Sequence, residues 1–294
     1  MNTILTSITT LLLLVHLSSA ASGTFDILTY NIAGLPSFLT DNGVPGDKAT
    51  NAATIGSKFA EYAYDVIHVQ EDFAYHSALY EHDNHAYRTV TSGNVPLGSG
   101  LNTLSQYPWT TFARVPWNTC FLNEADCLTP KGFTFMRLQL PSGGVTVDLY
   151  NLHADAGDEQ GDKNARHAND EQLLAYIAAN SVGRAVVIAG DLNDRYTEAG
   201  RSIDLLTRAG FHDAWIELVR GGSEPAAGSP NIDCGIPAGR NDCEDVDKIL
   251  YRSGDSVGLS ALNYIHVANK FVQPNGERLS DHNPIRVEFA WSTA

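Results

Sequence analysis

Apolar and polar positions change period several times along the chain, and each change marks an element. Phe25-Asp26-Ile27-Leu28-Thr29-Tyr30 and Asp65-Val66-Ile67-His68-Val69 have the composition and alternation of strands. Between them, Asp47 to Tyr62 carries Ala52, Ile55, Phe59 and Tyr62 at helical spacing. Gly132 to Leu140 and Val145 to Leu152 predict two strands joined by a hairpin turn at Pro141-Ser142-Gly143-Gly144. Asn164 to Asn180 predicts a helix with Leu173, Leu174 and Ile177 on one face. Ala185-Val186-Val187-Ile188-Ala189 reads as a buried strand, and Ile203 to Ala209 as a helix closed by Gly210. Gly221 to Asp242, rich in Gly, Pro and Ser, predicts a long loop pinned by a cystine. Val246 to Tyr251 and Ile285 to Phe289 complete the strands. There is no tandem repeat and no low-complexity tract. Helices interspersed with strands and hairpins predict stacked sheets with helices outside them.

Before the first strand lies a different pattern. Ile4 to Leu17 is an apolar run too short to span a bilayer comfortably, and the small residues Ser18-Ser19-Ala20-Ala21-Ser22 follow it. This predicts a secretory signal peptide over residues 1–20, although its first residues include no Lys or Arg. Four cysteines suit an exported protein. Cys120 is close to Cys127 and Cys234 to Cys243, so two local disulfides are the simplest of three connectivities. A four-thiolate zinc site is the alternative, disfavoured because neither pair has C-x2-C spacing. No N-x-[ST] sequon occurs.

The 294 residues, 43% of them hydrophobic, suffice for one large layered domain or two small ones. The formal net charge of -15 repels polyanions at long range and argues against a broad nucleic-acid-binding face. A groove that holds divalent cations could still accept a phosphate.

The candidate chemistry sits at strand ends. Asn31 follows the first strand, Gln70-Glu71 the second, His153 the stretch Val147 to Leu152, and Asp191 with Asn193 the stretch Val186 to Gly190. Leu279-Ser280-Asp281-His282-Asn283-Pro284 precedes the last strand. Taken singly these are ordinary: a solvated Glu71, turn-forming Asp191 and Asn193, a half-buried His153, an Asp281 that starts a turn. Together they are polar tips on buried strands, which are costly unless they share a ligand or each other. Hard oxygen donors suit Mg2+, Mn2+ or Ca2+, and two imidazoles beside carboxylates suit proton transfer.

In the order Asn31, Gln70-Glu71, Asn151-Leu152-His153, Gly190-Asp191-Leu192-Asn193, Asp247-Lys248-Ile249 and Ser280-Asp281-His282, the chain resembles the endonuclease/exonuclease/phosphatase superfamily with its deoxyribonuclease I-like fold. The likeness spans Phe25 to Phe289 and looks closest to secreted sphingomyelinase C enzymes, with Lys131-Gly132-Phe133, Asp158, Arg166 and Gln172 in support. It implies an α/β fold, a four-layered sandwich of two stacked, mostly antiparallel sheets flanked by helices, as one catalytic domain over residues 24–291. It implies a metal, Mg2+ first with Mn2+ or Ca2+ as alternatives, held by Glu71, with Asn31 supporting the shell and Asp281 joining it or orienting the site. His282 is the implied general base, oriented by Asp247. Asp191 and Asn193 position the nucleophile and a phosphoryl oxygen, His153 neutralises the phosphoryl group, and Asp158 assists the leaving group.

The expectation is a secreted, monomeric, metal-dependent phosphodiesterase acting on a phospholipid head group. A deoxyribonuclease I-like nuclease, a phosphomonoesterase and an inactive binding protein on the same fold are the alternatives. Membrane-acting relatives in this resemblance carry an aromatic hairpin before the final Asp-His, whereas His266 to Glu277 is short here and offers only Phe271 as a wedge. Peripheral membrane contact is therefore left open. Trp109, Trp117 and Phe121, in a loop-rich stretch, read first as packing residues and second as an apolar lip. Lys131 reads equally as a phosphate contact and as a solvated lysine. Arg166 and His167 could face the cleft or cover the sheet. Asp41-Asn42-Gly43 and Asp245-Val246-Asp247 are weak candidates for a structural cation.

Overall fold

The computed structural model describes residues 20–122, 127–141 and 144–293. The leader and its cleavage site at Ala20 lie outside the described residues, except for that alanine itself, and so do Ser142 and Gly143 of the hairpin turn. The first sheet contains β1 (Ser22–Asn31), β2 (Val66–Gln70), β3 (Tyr87–Arg88), β4 (Asn102–Ser105), β11 (Val257–His266) and β12 (Ile285–Thr293), in the order β11-β12-β1-β2-β4-β3. The second contains β5 (Trp109–Pro116), β6 (Gly132–Gln139), β7 (Thr146–His153), β8 (Val186–Asp191), β9 (His212–Asp213) and β10 (Asp247–Arg252), in the order β5-β6-β7-β8-β10-β9. Each sheet is antiparallel except for one central parallel pair, β1 with β2 and β7 with β8. The mostly antiparallel two-sheet sandwich expected from the resemblance is the architecture observed.

Alternation explains how each strand serves two layers. Phe25 and Ile27 of β1 join the core shared with Phe135, Tyr150 and Val187 of the second sheet, while Leu28 and Tyr30 turn to the other side. There they meet Ile55 and Phe59 of α1 (Lys48–Tyr62) and Leu79 of α2 (His76–His82). On the far side, α3 (Gln160–Asn180) lays Leu173 and Ile177 against the second sheet. Of two short helices, α4 (Asp204–Arg208) packs beside α3, and α5 (Ala214–Leu218) touches β9 and β10 of the second sheet and β11 of the first. Helix α1 starts as its sequence dictates, with Asp47 accepting from Thr50 N at 2.8 Å. Helix α3 begins four residues before the expected Asn164, because Asp162 reaches back to Glu159 N at 2.8 Å and caps the extra turn.

The facing sheets are also joined by polar side chains. Gln70 Nε2 donates to Asn151 Oδ1 at 2.7 Å, and Asn151 Nδ2 donates to Val69 O and Asn102 O. His68 Nδ1 lies 3.0 Å from Ala189 O. These bonds cross from β2 and β4 to β7 and from β2 to β8, and fix the relative slide of the sheets, which apolar contacts alone tolerate.

Several elements depart from the alternation reading. Asn102–Ser105 is too polar to look like a strand, yet it is fully buried, with Asn102 Nδ2 donating to Asp72 Oδ2 at 2.7 Å. The strands are not completed by the segments near Val246 and Ile285, because β11 lies between them along β12. Trp109 belongs to β5 rather than a loop and stacks edge-on to Tyr87. Trp117 packs on Phe133 and donates Nε1–H to His153 O at 2.7 Å. Both are therefore packing residues. Phe271 is no wedge: it is buried against Tyr30 and Phe59. The two local disulfides, Cys120–Cys127 and Cys234–Cys243, are both formed.

Candidate active site

The two parallel pairs end side by side, and their registers bring the polar tips together. Asn31 pairs with Gln70 at the end of β1 and β2, and His153 pairs with Asp191 at the end of β7 and β8. Asp247, the first residue of β10, pairs with Asp191 from the other side. Glu71 follows β2 with a left-handed φ of 55°, which turns it off the strand. Gly34 permits this turn, since a Cβ there would lie 2.3 Å from Glu71 O.

Asn31 links the halves. Its Nδ2 donates to Glu71 Oε1 and to Asp191 Oδ2, both at 3.1 Å, while its Oδ1 accepts from Ala33 N. Asp191 Oδ2 also lies 3.3 Å from His153 Nε2 and 3.7 Å from His282 Nε2. His282 Nδ1 donates to Asp247 Oδ2 at 2.7 Å. Asn193 caps Asp191 through its backbone N–H, and its side chain donates to Ala154 O.

Charge divides the two imidazoles. Burial works against a charged His282, but the carboxylates of Asp247 and Asp191, the hydrogen bond to Asp247 and nearby Asp281 outweigh it, holding the ring well above its ordinary range. His153 moves the other way. Burial, reinforced by Lys131 and His282, outweighs Asp191 and pushes it down to about 3. Burial alone would raise Asp191, yet His282, His153 and Lys131 keep it below the usual carboxylate range. Burial, and then Asp281, raise Glu71.

Glu71 Oε2 is buried and has no hydrogen-bond partner among the described residues. A buried carboxylate oxygen in that state is costly unless a cation meets it. With Asp281 nearby, the hard-oxygen donors fit a divalent cation of the Mg2+, Mn2+ or Ca2+ type.

The cluster forms the floor of a cleft of about 810 Å³, reached by Glu71, His153, Asp191, Asn193, Asp281 and His282. Phe38, Leu39, Val95, Pro96 and Leu128 line its upper walls. Phe38 is 83% exposed and Leu128 65%, so these side chains project to solvent instead of packing. Leu97, 84% exposed, lines an adjoining recess of about 390 Å³ that shares Pro96, Leu128 and Lys131 with the cleft. Asp158 is exposed and lines a third recess of about 250 Å³ with Asn193, Asp247 and His282.

All nine candidate residues thus line or floor one region, with Asp158 at its margin. Lys131 lines the cleft and its Nζ lies 3.3 Å from Ala154 O. Arg166 instead is buried under the neighbouring loops, donating to Gly157 O and Glu198 Oε1, and His167 is an exposed partner of Glu171. Asp41-Asn42-Gly43 serves the cleft in an unexpected way: Asn42 Nδ2 donates to Asp281 Oδ2 at 2.9 Å and Asn42 Oδ1 accepts from Lys48 Nζ at 2.7 Å. Lys48 escaped the sequence reading. Its signal was a cation in the first turn of a helix, where the helix dipole disfavours positive charge.

Two six-stranded sheets whose central strand ends converge on one polar cluster define the deoxyribonuclease I-like class of fold. The family model for endonuclease/exonuclease/phosphatase family 2 matches residues 48–223. A protein named sphingomyelinase from Mycobacterium tuberculosis is 40% identical over 276 residues, which is 91% of this chain and 53% of that protein. The chain belongs to the endonuclease/exonuclease/phosphatase family, and it spans about half the length of the curated relatives it matches. Among solved structures, sphingomyelinase C from Streptomyces griseocarneus superposes with a TM-score of 0.64 at 21% identity, covering 90% of this chain and 99% of the other. A beta toxin variant from Staphylococcus aureus with bound magnesium ions gives a TM-score of 0.60 at 15% identity, covering 90% and 99%.

Proposed function

We propose that this protein is a secreted, divalent-metal-dependent phosphodiesterase that hydrolyses the head-group phosphodiester of a phospholipid, with sphingomyelin the leading candidate. The observation that carries this reading is the pairing of one floor with one rim. The His282–Asp247 and His153–Asp191 pairs lie beneath exposed Phe38, Leu39 and Leu128. A polar phosphate-scale floor under an apolar mouth suits an amphiphile whose tail stays above the cleft. The name of the 40% identical relative and the two disulfides point the same way.

Glu71, supported by Asn31 and joined by Asp281, would hold the cation, which when bound supplies positive charge at the phosphoryl oxygen. With the cation's charge offsetting the carboxylates that raise it, His282 would be unprotonated at Nε2 and take a proton from water there, while Asp247 holds its Nδ1–H and stabilises the imidazolium that forms. The water oxygen bonds to phosphorus as the bond to the lipid alcohol oxygen breaks, and Asp158 helps return a proton to that oxygen. His153, kept neutral by its burial, donates a hydrogen bond to the phosphoryl group. Asp191 and Asn193 align the attacking water. Acidic net charge is no obstacle to this chemistry, because the substrate's zwitterionic head group needs no basic surface.

Purified protein with Mg2+ is to be tested against sphingomyelin, plasmid DNA, RNA and bis-(p-nitrophenyl) phosphate, with EDTA controls. Phosphocholine release that EDTA abolishes is the expected result. Cleavage of DNA or RNA without cleavage of lipid refutes the lipid assignment. Absence of EDTA-sensitive hydrolysis on every substrate refutes the enzyme assignment.

A further inference from the structure

We infer that Asn283 is a positioning residue for His282, acting as a clasp between the turn that carries His282 and the Cys234–Cys243 loop. The inference rests on the reading of His282 as the base. That turn has two anchors. On one side Ser280 Oγ donates to Asn31 O at 2.6 Å, and His282 N donates to Ser280 Oγ at 3.2 Å. On the other side stands Asn283, 1% exposed, whose amide is fully used. Its Oδ1 accepts from Ala238 N at 2.8 Å, and its Nδ2 donates to Gly235 O at 2.9 Å and to Asp245 Oδ2 at 3.2 Å.

Gly235 and Ala238 both lie within the loop closed by Cys234–Cys243, whose Cα atoms are 4.8 Å apart. The same loop is secured to the end of β11. His266 N donates to Asn241 Oδ1 at 2.8 Å, and the His266 ring lies 2.9 Å from both Arg240 O and Asp245 Oδ2. Asp245 is two residues before Asp247, the carboxylate that holds His282. One side chain therefore ties the turn bearing the imidazole to the segment bearing its carboxylate partner. The long loop from Gly221 to Asp242 contains no helix or strand, so side-chain bonds and the cystine carry the register there. A His–carboxylate pair works only in a narrow range of separation and angle, and a displacement of about 1 Å can cost on the order of 100-fold in rate.

Asn283→Asp keeps the volume and the acceptor but removes both donated bonds and faces Asp245 with like charge. Asn283→Ser keeps a small polar group at the turn and can be read if the aspartate variant does not fold. For the folded variants, kcat on bis-(p-nitrophenyl) phosphate is expected to fall about 10- to 100-fold with KM changed less than about twofold. The downfield proton resonance of His282 Nδ1–H is expected to shift or broaden. A Cys234→Ser/Cys243→Ser double variant is expected to move both readouts the same way by a smaller amount. Wild-type kcat with an unmoved His282 resonance in either folded Asn283 variant overturns the clasp. So does a change confined to KM. His282→Ala run in parallel separates the two levels: retained activity there defeats the assignment of the base, while an inactive His282→Ala beside wild-type-like Asn283 variants defeats the clasp alone.

Discussion

The two sheets repeat one plan and carry different chemistry. Both run antiparallel, antiparallel, parallel, antiparallel, antiparallel across their six strands, and both end their parallel pair at the same cleft. The first sheet delivers oxygen donors, Asn31 and Glu71, while the second delivers His153, Asp191 and, from β10, Asp247. His282 crosses the divide: it leaves the turn before β12 of the first sheet and bonds to Asp247 of the second. A repeated frame thus fixes where the tips meet, and the identity of each tip assigns its work. Under the proposed function, cation binding would fall to one half and proton and phosphoryl handling to the other, with one histidine spanning both.

The largest effect tests the residue that spans the halves. His282→Ala is expected to lower kcat by about 10³- to 10⁴-fold with little change in melting temperature. Turnover within a few-fold of wild type removes the division of labour altogether.

Glu71→Gln against His153→Gln tests the halves themselves. Each is expected to cost about 10²- to 10³-fold in kcat/KM at low Mg2+. Raising Mg2+ restores part of the Glu71→Gln loss and none of the His153→Gln loss. Equal rescue of both would mean that the halves do not differ in this way.

His68 and His153 are buried histidines on corresponding inner strands, and only the second faces the cleft. Burial pushes His68 down to about 4, against the hydrogen bond to Ala189 O that favours its charged form. A histidine whose folded pKa lies below its unfolded value contributes stability present above about pH 6.5 and lost as pH falls toward 4. His68→Gln is expected to remove up to about 3 kcal/mol of that pH dependence, measured as the difference between urea melts at pH 7 and pH 4.5. Identical slopes for variant and wild type would show that this histidine does not titrate on unfolding.

The smallest effect concerns the rim, to which loops from both halves contribute. Phe38→Ser combined with Leu97→Ser is expected to reduce hydrolysis of sphingomyelin vesicles about tenfold and to leave bis-(p-nitrophenyl) phosphate cleavage unchanged. A parallel fall on both substrates would assign these residues to folding rather than to the lipid surface.

Much of this frame is legible in the chain. Alternation locates β1, β2, β6, β7 and β8 because their side chains must serve two apolar layers, and that constraint writes a period into the sequence. It misses Asn102–Ser105, where burial is satisfied by hydrogen bonds to Asp72 and Asn151 instead of by apolar side chains. Motif order finds the strand-end residues, since a polar tip on a buried strand stands out against its neighbours. It does not find Lys48, which meets the cleft through Asn42 and Leu35 O, or the Phe38, Leu97 and Leu128 rim. Those hydrophobics look like ordinary loop residues until the loops converge, just as Phe271 looks like a wedge until Tyr30 and Phe59 close over it.

By itself, then, the sequence determined strands β1, β2, β6, β7, β8, β10 and β12, the span of α1, the residue types available to the site and the family to which the chain belongs. These are local matters, set by side-chain period, hydrogen-bonding groups and spacing within a few residues. Tertiary structure alone decided that Asn31 would bridge Glu71 and Asp191, that His282 would reach Asp247, and that Asn283 would hold the cystine loop. Those contacts join residues 35 to 160 positions apart. Their separation is fixed by the stacking of two sheets, which no local pattern encodes.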